Sequence, residues 1–132
     1  MDTAGWIACT DAADRAHERA LTSRDRCLEE GGVLVTTDYI VDETLTLLRV
    51  RGGLRVAEAW LGEVDSSPHL RWEFISPERA DKARALFFRY TDKEFSFTDC
   101  TSFVVMRELR LRDALTTDHH FAQAGFLTLP RG

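Results

Sequence analysis

The chain has 132 residues, 44% of them hydrophobic, and 17 basic against 22 acidic side chains give a formal charge of −5. That length suits one ordinary domain with a real core, and the hydrophobic share argues against disorder. The charge argues against a uniformly basic nucleic-acid coat, no apolar run reaches the roughly 18 residues of a membrane span, and no basic-then-apolar leader opens the chain.

"MDTAGWIA" at the start reads as the end of a strand running into a turn. Asp14 to Glu30 has helical composition, and Gly31-Gly32 stops it. "VLVTT" (Val33 to Thr37) is short and β-branched, which predicts a buried strand. In "DYIVDETLTLLRVR", Ile40, Val41, Thr44, Leu45, Leu47 and Leu48 fall on a helical period; Asp38 is the expected N-cap and Gly52-Gly53 the stop. "LRVAEAWLGEVD" predicts another helix, and "SSP" (Ser66 to Pro68) is a loop too short to separate domains. Leu70, Trp72 and Phe74 alternate in "LRWEFI", the pattern of a strand with one buried face. Ser76-Pro77 opens a helix as N-cap and first-turn proline, running to about Tyr90.

"FSFTDCTSFVVMREL" (Phe95 to Leu109) predicts a helix from about Thr98 that is apolar nearly all round and so buried, with Thr98 or Asp99 available to cap it. "DALTTD" gives a short strand, "HHFAQAG" a turn or short helix, and "FLTLP" a last strand. With no repeat or linker in view, residues 1–132 are expected to form a single domain. Strands alternating with helices predict an α/β fold with a mainly parallel sheet flanked by helices, whose ligand crevice lies beyond the carboxyl ends of the strands.

Four acids are placed near that edge: Asp2, Glu43, Asp99 and Asp118, each beside a threonine (Thr3, Thr44, Thr98, Thr117). Taken singly, each has an ordinary reading as a terminal residue, an exposed helix position, a cap or a turn. Taken together, four carboxylates in one pocket raise one another's pKa and call for a cation. Their hard oxygens select Mg²⁺ or Mn²⁺ rather than zinc, and such an ion activates water and clamps phosphate oxygens. The chemistry implied is metal-assisted phosphodiester hydrolysis. Setting these acids aside leaves the rest of the chain close to neutral.

Other features carry less. Arg49, Arg51 and Arg55, and Arg107, Arg110 and Arg112, are either solvated helix ends or phosphate contacts. His119-His120 lacks H-E-x-x-H spacing and reads as a solvated or partly buried pair. Cys9, Cys27 and Cys100 are odd in number and widely spaced, so neither a disulfide framework nor a zinc site is expected, a reducing cytoplasm fits, and Cys100 reads as a small buried residue. Trp6, Trp60 and Trp72 are core or interface candidates, with Trp60 and Leu61 a possible grip for a partner.

On "DTAGWIA", "TTDYIVDETLTLL", "FSFTDCTSFVVM" and "ALTTDHHFAQAGF", essentially the whole chain resembles PIN-domain ribonucleases, in particular the VapC-type toxins of bacterial toxin–antitoxin pairs. The resemblance implies a Rossmann-like, three-layer fold with strand order 3-2-1-4-5 and an acidic site for Mg²⁺ or Mn²⁺. It implies cleavage of single-stranded regions of RNA, often tRNA or other translation RNAs. Asp2 and Asp99 would be the main metal ligands, Glu43 and Asp118 second ligands or water positioners, and Thr3 and Thr101 supporting hydroxyls. A cytoplasmic homodimer is implied, silenced by an antitoxin that grips the helix pair from Tyr39 to Val64 and covers the site with its tail. Only Met1 precedes Asp2 where the family has a full strand, so the expectation is either a start further upstream or an unusually short first strand. The alternatives are a catalytically inactive PIN-like binding or scaffold module and a phosphoacceptor receiver domain. The receiver needs a lysine after a late strand, and Lys82 and Lys93 both come too early.

Overall fold

The structure, a computed structural model, describes residues 1–130. In chain order the elements are α1 (Thr3–Thr10), α2 (His17–Glu29), β1 (Leu34–Thr37), α3 (Asp38–Gly52), α4 (Leu54–Ser66), β2 (Leu70–Glu73), α5 (Pro77–Arg89), α6 (Phe97–Glu108), β3 (Asp113–Leu115), α7 (His120–Gln123) and β4 (Leu127–Leu129). The alternation of strand and helix expected from the sequence is present. Two details of the sheet differ. "MDTAGWIA" forms no strand: Asp2 caps a helix that starts at Thr3. The strands form two parallel pairs, β1 with β2 and β3 with β4, rather than one continuous sheet.

Capping residues set where the main helices begin. Ser76 accepts a hydrogen bond from the Arg79 N–H with Pro77 in the first turn, as expected. Thr37, rather than Asp38, caps α3 by accepting from the Ile40 N–H; Asp38 instead accepts from the Ile75 N–H at 2.8 Å, tying α3 to the end of β2. Ser96, rather than Thr98 or Asp99, caps α6. Gly53, at φ 90°, ends α3 in a backbone region that side chains disfavour.

Among the described residues three apolar clusters fill the interior. The first packs α5, α6 and α7 around Phe103 and Phe121. The second joins α1, α3 and α4 around Trp6 and Trp60, whose rings meet edge to face at 5.5 Å. The third holds Ala8, Cys9, Ala16 and Ala20 against Leu115. Trp60 is thus a core residue, 5% exposed, and offers no grip to a partner. Among the described residues no helix is long and apolar enough to cross a membrane.

Candidate active site

The N-terminus of α1 reaches the end of β3 because residue 5 is glycine: a Cβ there would lie 2.3 Å from the Leu115 carbonyl oxygen. This approach places Asp2 beside Thr116. One Asp2 oxygen caps α1 by accepting from the Gly5 N–H at 2.9 Å, and the other accepts from the Thr116 hydroxyl at 2.9 Å. The Thr116 hydroxyl also accepts from the Asp118 N–H at 2.9 Å, so one side chain holds two acids.

Asp99 is the third residue of α6. Its backbone N–H donates to Ser96 Oγ at 3.0 Å, while its carboxylate accepts from the Ser96 N–H at 3.1 Å, a reciprocal capping box. Asp118 accepts from the His120 N–H at 2.9 Å, and the turn brings the His120 ring back over the site. His120 Nδ1 lies 3.1 Å from both Asp99 Oδ2 and Asp118 Oδ1.

Three of the four candidate acids therefore converge. Asp2, Asp99 and Asp118 each offer a carboxylate oxygen within 4.8 Å of the others. Glu43 lines the same cavity, of about 350 Å³, but stands outside that tight group. Thr3 also lines the cavity, whereas Thr101 is fully buried and donates its hydroxyl to the Thr98 carbonyl at 2.6 Å, within its own helix. Of the arginine groups, Arg51 reaches the cavity wall.

Thr116, Ser96 and His120 hold the site together without standing among the residues expected from the sequence. Two of them have legible signals. An aspartate whose carboxylate takes the N–H two residues on makes an Asx turn, which relates Asp118 to His120 directly. A serine three residues before an acid at a helix start is a capping-box pattern. Thr116 gives no such signal, since its role depends on the close approach of α1 and β3. His120 is partly buried, as expected, but sits on two of the acids rather than apart from them.

Burial governs the charges. Asp2 is pushed up to about 6, chiefly by burial and further by the nearby Asp118, against the opposing bonds from Gly5 and Thr116. Burial likewise raises Asp99, with Asp118 adding to it and the Ser96 N–H and His120 opposing it. Cys100 is fully buried, and burial pushes its thiol up to about 11, which fits a packing role.

For Asp2 the sign is definite. A carboxyl whose pKa rises on folding favours the fold in its neutral form, so its contribution is fully present below the unfolded value near 4. It is lost as pH climbs through about 6. In metal-free protein, Asp2→Asn is expected to raise stability at pH 8 by about 2–3 kcal/mol and to leave it little changed at pH 4. Thermal melts of both proteins at the two pH values, in chelator, check this.

The donor set fits a hard divalent cation. Three carboxylates supply oxygen ligands suited to Mg²⁺ or Mn²⁺. Thr3 Oγ1 and Ser102 Oγ, both on the cavity wall, are buried and have no hydrogen-bond partner among the described residues. Such orphaned hydroxyls are the partners that the waters of a hydrated ion require. A second group, Asp118, His119 and His120, shares Asp118 with the site, but the His119 side chain is 76% exposed.

Comparison with known proteins sets these features beside relatives. No protein-family model matches the chain. The 23S rRNA-specific endonuclease VapC20 of Mycobacterium tuberculosis, from strains CDC 1551 / Oshkosh and ATCC 25618 / H37Rv, is 32% identical to it over 127 residues, which cover 96% of this chain and 94% of the relative. The crystal structure of Mycobacterium tuberculosis VapC20, described as a sarcin-ricin loop cleaving toxin, matches with a TM-score of 0.85 over 96% of this chain and 94% of that one.

Proposed function

The chain belongs to the VapC-type PIN-domain toxin endonucleases, and from that membership we propose that it is a metal-dependent endoribonuclease whose site is Asp2, Asp99 and Asp118 with Glu43. The observation that carries this reading is the convergence of three carboxylates from distant stretches of the chain, their oxygens within 4.8 Å of one another. A vestigial binding module has no need to hold three acids together against their repulsion.

Asp2, Asp99 and Asp118 would hold Mg²⁺ or Mn²⁺. When bound, the cation supplies charge neutralisation for the scissile phosphate and acidifies an attacking water. The remaining work falls to the chain's own groups. Thr116 fixes Asp2 and Asp118, the capping box fixes Asp99, and His120 keeps Asp99 and Asp118 at one separation. Glu43, set back on the wall, is placed to orient a water or take its proton. Arg51 is placed to meet a phosphate entering the cavity.

The substrate is an RNA of the translation machinery. The rRNA specificity of the relative favours a ribosomal RNA loop over tRNA for this chain too. The partners are that RNA, a second copy of the chain, and an antitoxin whose basic tail would neutralise the acids. The 132 residues act as one domain. The test is a panel of purified 23S rRNA and total tRNA incubated with the protein and Mn²⁺. One discrete cut in 23S rRNA with tRNA intact is expected; cutting of tRNA alone would overturn the substrate assignment, and an intact panel would overturn the activity.

A further inference from the structure

The cavity that holds the acids continues past them between α1 and α3. Glu43, Leu47 and Arg51 line it from α3 at four-residue steps, so they share one helix face. From Glu43 to Arg51 is about 12 Å along the helix axis. On the other wall Asp2, Ala4 and Ile7 follow α1 in the same direction. The two helices meet again at the far end, where Arg51 Nη1 lies 3.9 Å from Oδ2 of Asp11, the C-cap of α1. Asp14 also lines the cavity, and its N–H donates to the Asp11 carbonyl at 3.0 Å.

The far end differs in chemistry from the acidic end. Ala4, Ile7 and Leu47 give it an apolar lining, Arg51 a cation and Asp14 a single carboxylate. The Arg51 side chain is 53% exposed and its contact with Asp11 is long, an ion pair worth little in water. An incoming phosphate can therefore take the guanidinium. Asp14 Oδ1 accepts from the Ala16 N–H at 2.9 Å, which fixes the carboxylate without using up its acceptor sites. Together these groups supply what a nucleotide needs: an anchor for its phosphate, an apolar surface for its base, and a fixed partner for the base edge.

We propose that this end of the cavity is a base-reading subsite that takes one unstacked guanosine nucleotide next to the scissile phosphate, with Asp14 accepting hydrogen bonds from the guanine edge. A carboxylate only accepts, and it offers two oxygens side by side. Guanine presents two adjacent donors, N1–H and the N2 amino group, and so matches it. Adenine and cytosine place a ring-nitrogen acceptor beside their amino group, and uracil flanks its one N–H with carbonyls. Each of these sets a lone pair against one of the carboxylate oxygens. Ala4, Ile7 and Leu47 pack on the face of the base, and Arg51 holds the neighbouring phosphate. A cavity of about 350 Å³ has room for a single nucleotide and not for a base pair, in keeping with recognition of RNA bases splayed out of the stack. The subsite rests on the nuclease reading for its place beside a scissile phosphate, but its test is separable, because mononucleotides offer no bond to cleave.

The test is a nuclear magnetic resonance titration of the protein, in Mg²⁺, with the monophosphates of guanosine, adenosine, cytidine, uridine and inosine, the last lacking the guanine amino group. The guanosine form is expected to bind about 10-fold more tightly than the adenosine, cytidine and uridine forms, with the inosine form between, and to shift the amide signals of Ile7, Leu47 and Arg51. Asp14→Asn keeps an acceptor for the Ala16 N–H but sets an amino group against a base donor, so it should remove the preference while Tm holds. Arg51→Gln should weaken every nucleotide by about 10-fold and leave the preference intact. Equal affinities, absence of binding, or a guanine preference that survives Asp14→Asn would overturn the subsite. Failure of the nuclease reading looks different: 23S rRNA stays intact while the guanine preference and its dependence on Asp14 persist.

Discussion

Asp99→Asn is expected to lower RNA cleavage by about 10²–10³-fold while the protein still folds. The substitution keeps the size of the side chain and removes its charge. In metal-free protein the loss of a buried charge, whose pKa burial has raised, favours the fold. The Ser96 N–H loses a charged acceptor, which costs about 1 kcal/mol. The two effects oppose each other, so Tm should move little. The loss of cleavage has a different origin: a hard cation among three carboxylates loses one of its anionic ligands. Cleavage rate and Tm measured on the same preparation separate the cases. A large fall in rate with Tm held means a lost ligand; parallel falls would mean a damaged helix.

Phe103→Ala should produce the largest loss of stability, about 3–5 kcal/mol out of the roughly 5–15 kcal/mol typical of a domain. Phe103 is fully buried. Its ring meets Phe95 and Phe121 edge to face at 5.0 Å each and stacks on Phe126 at 5.7 Å. Truncation removes the contacts of all three rings at once and leaves a cavity that rigid aromatic neighbours fill poorly. The effect reaches the site because the same cluster positions it: Phe95 precedes the cap Ser96, Phe121 follows His120, and Phe103 lies one turn along α6 from Asp99. The Phe95 and His120 rings are 5.7 Å apart. Chemical denaturation should give the stated loss, with Phe103→Leu retaining most of the stability; a loss below about 1 kcal/mol would show that the cluster relaxes freely.

Much of this is visible in the sequence, through signals that are local. The helical period of Ile40 to Leu48 and the Ser76-Pro77 start each correspond to an element of the structure, and the alternation from Leu70 corresponds to β2, although the strand ends at Glu73 and Phe74, expected on its buried face, is exposed. The four acids stand out because their types and order carry chemistry, and all four line one cavity. The misreadings have physical causes. "MDTAGWIA" lacks helical periodicity because α1 is buried on several sides, at Thr3, Gly5, Trp6, Ile7, Ala8 and Cys9, so the N-cap Asp2 is a better signal than the apolar run. Thr37 and Ser96 lose to neighbouring acids as expected caps, although a hydroxyl one or three residues earlier serves as well. The split between β1 and β3, the bridge through Thr116 and the ring of His120 over two acids depend on contacts between residues far apart in the chain, which no local pattern encodes.

The measurement that bears most directly on the account is metal add-back on a ribosomal RNA substrate. The protein is stripped with chelator, mixed with 23S rRNA, and assayed before and after addition of excess Mn²⁺, with Asp99→Asn in parallel. The account predicts no cleavage in chelator, a discrete product on adding Mn²⁺, and a product from the variant with Mn²⁺ that forms about 10²–10³-fold more slowly. Cleavage that persists in chelator, or that the variant performs at the wild-type rate once Mn²⁺ is present, would contradict it.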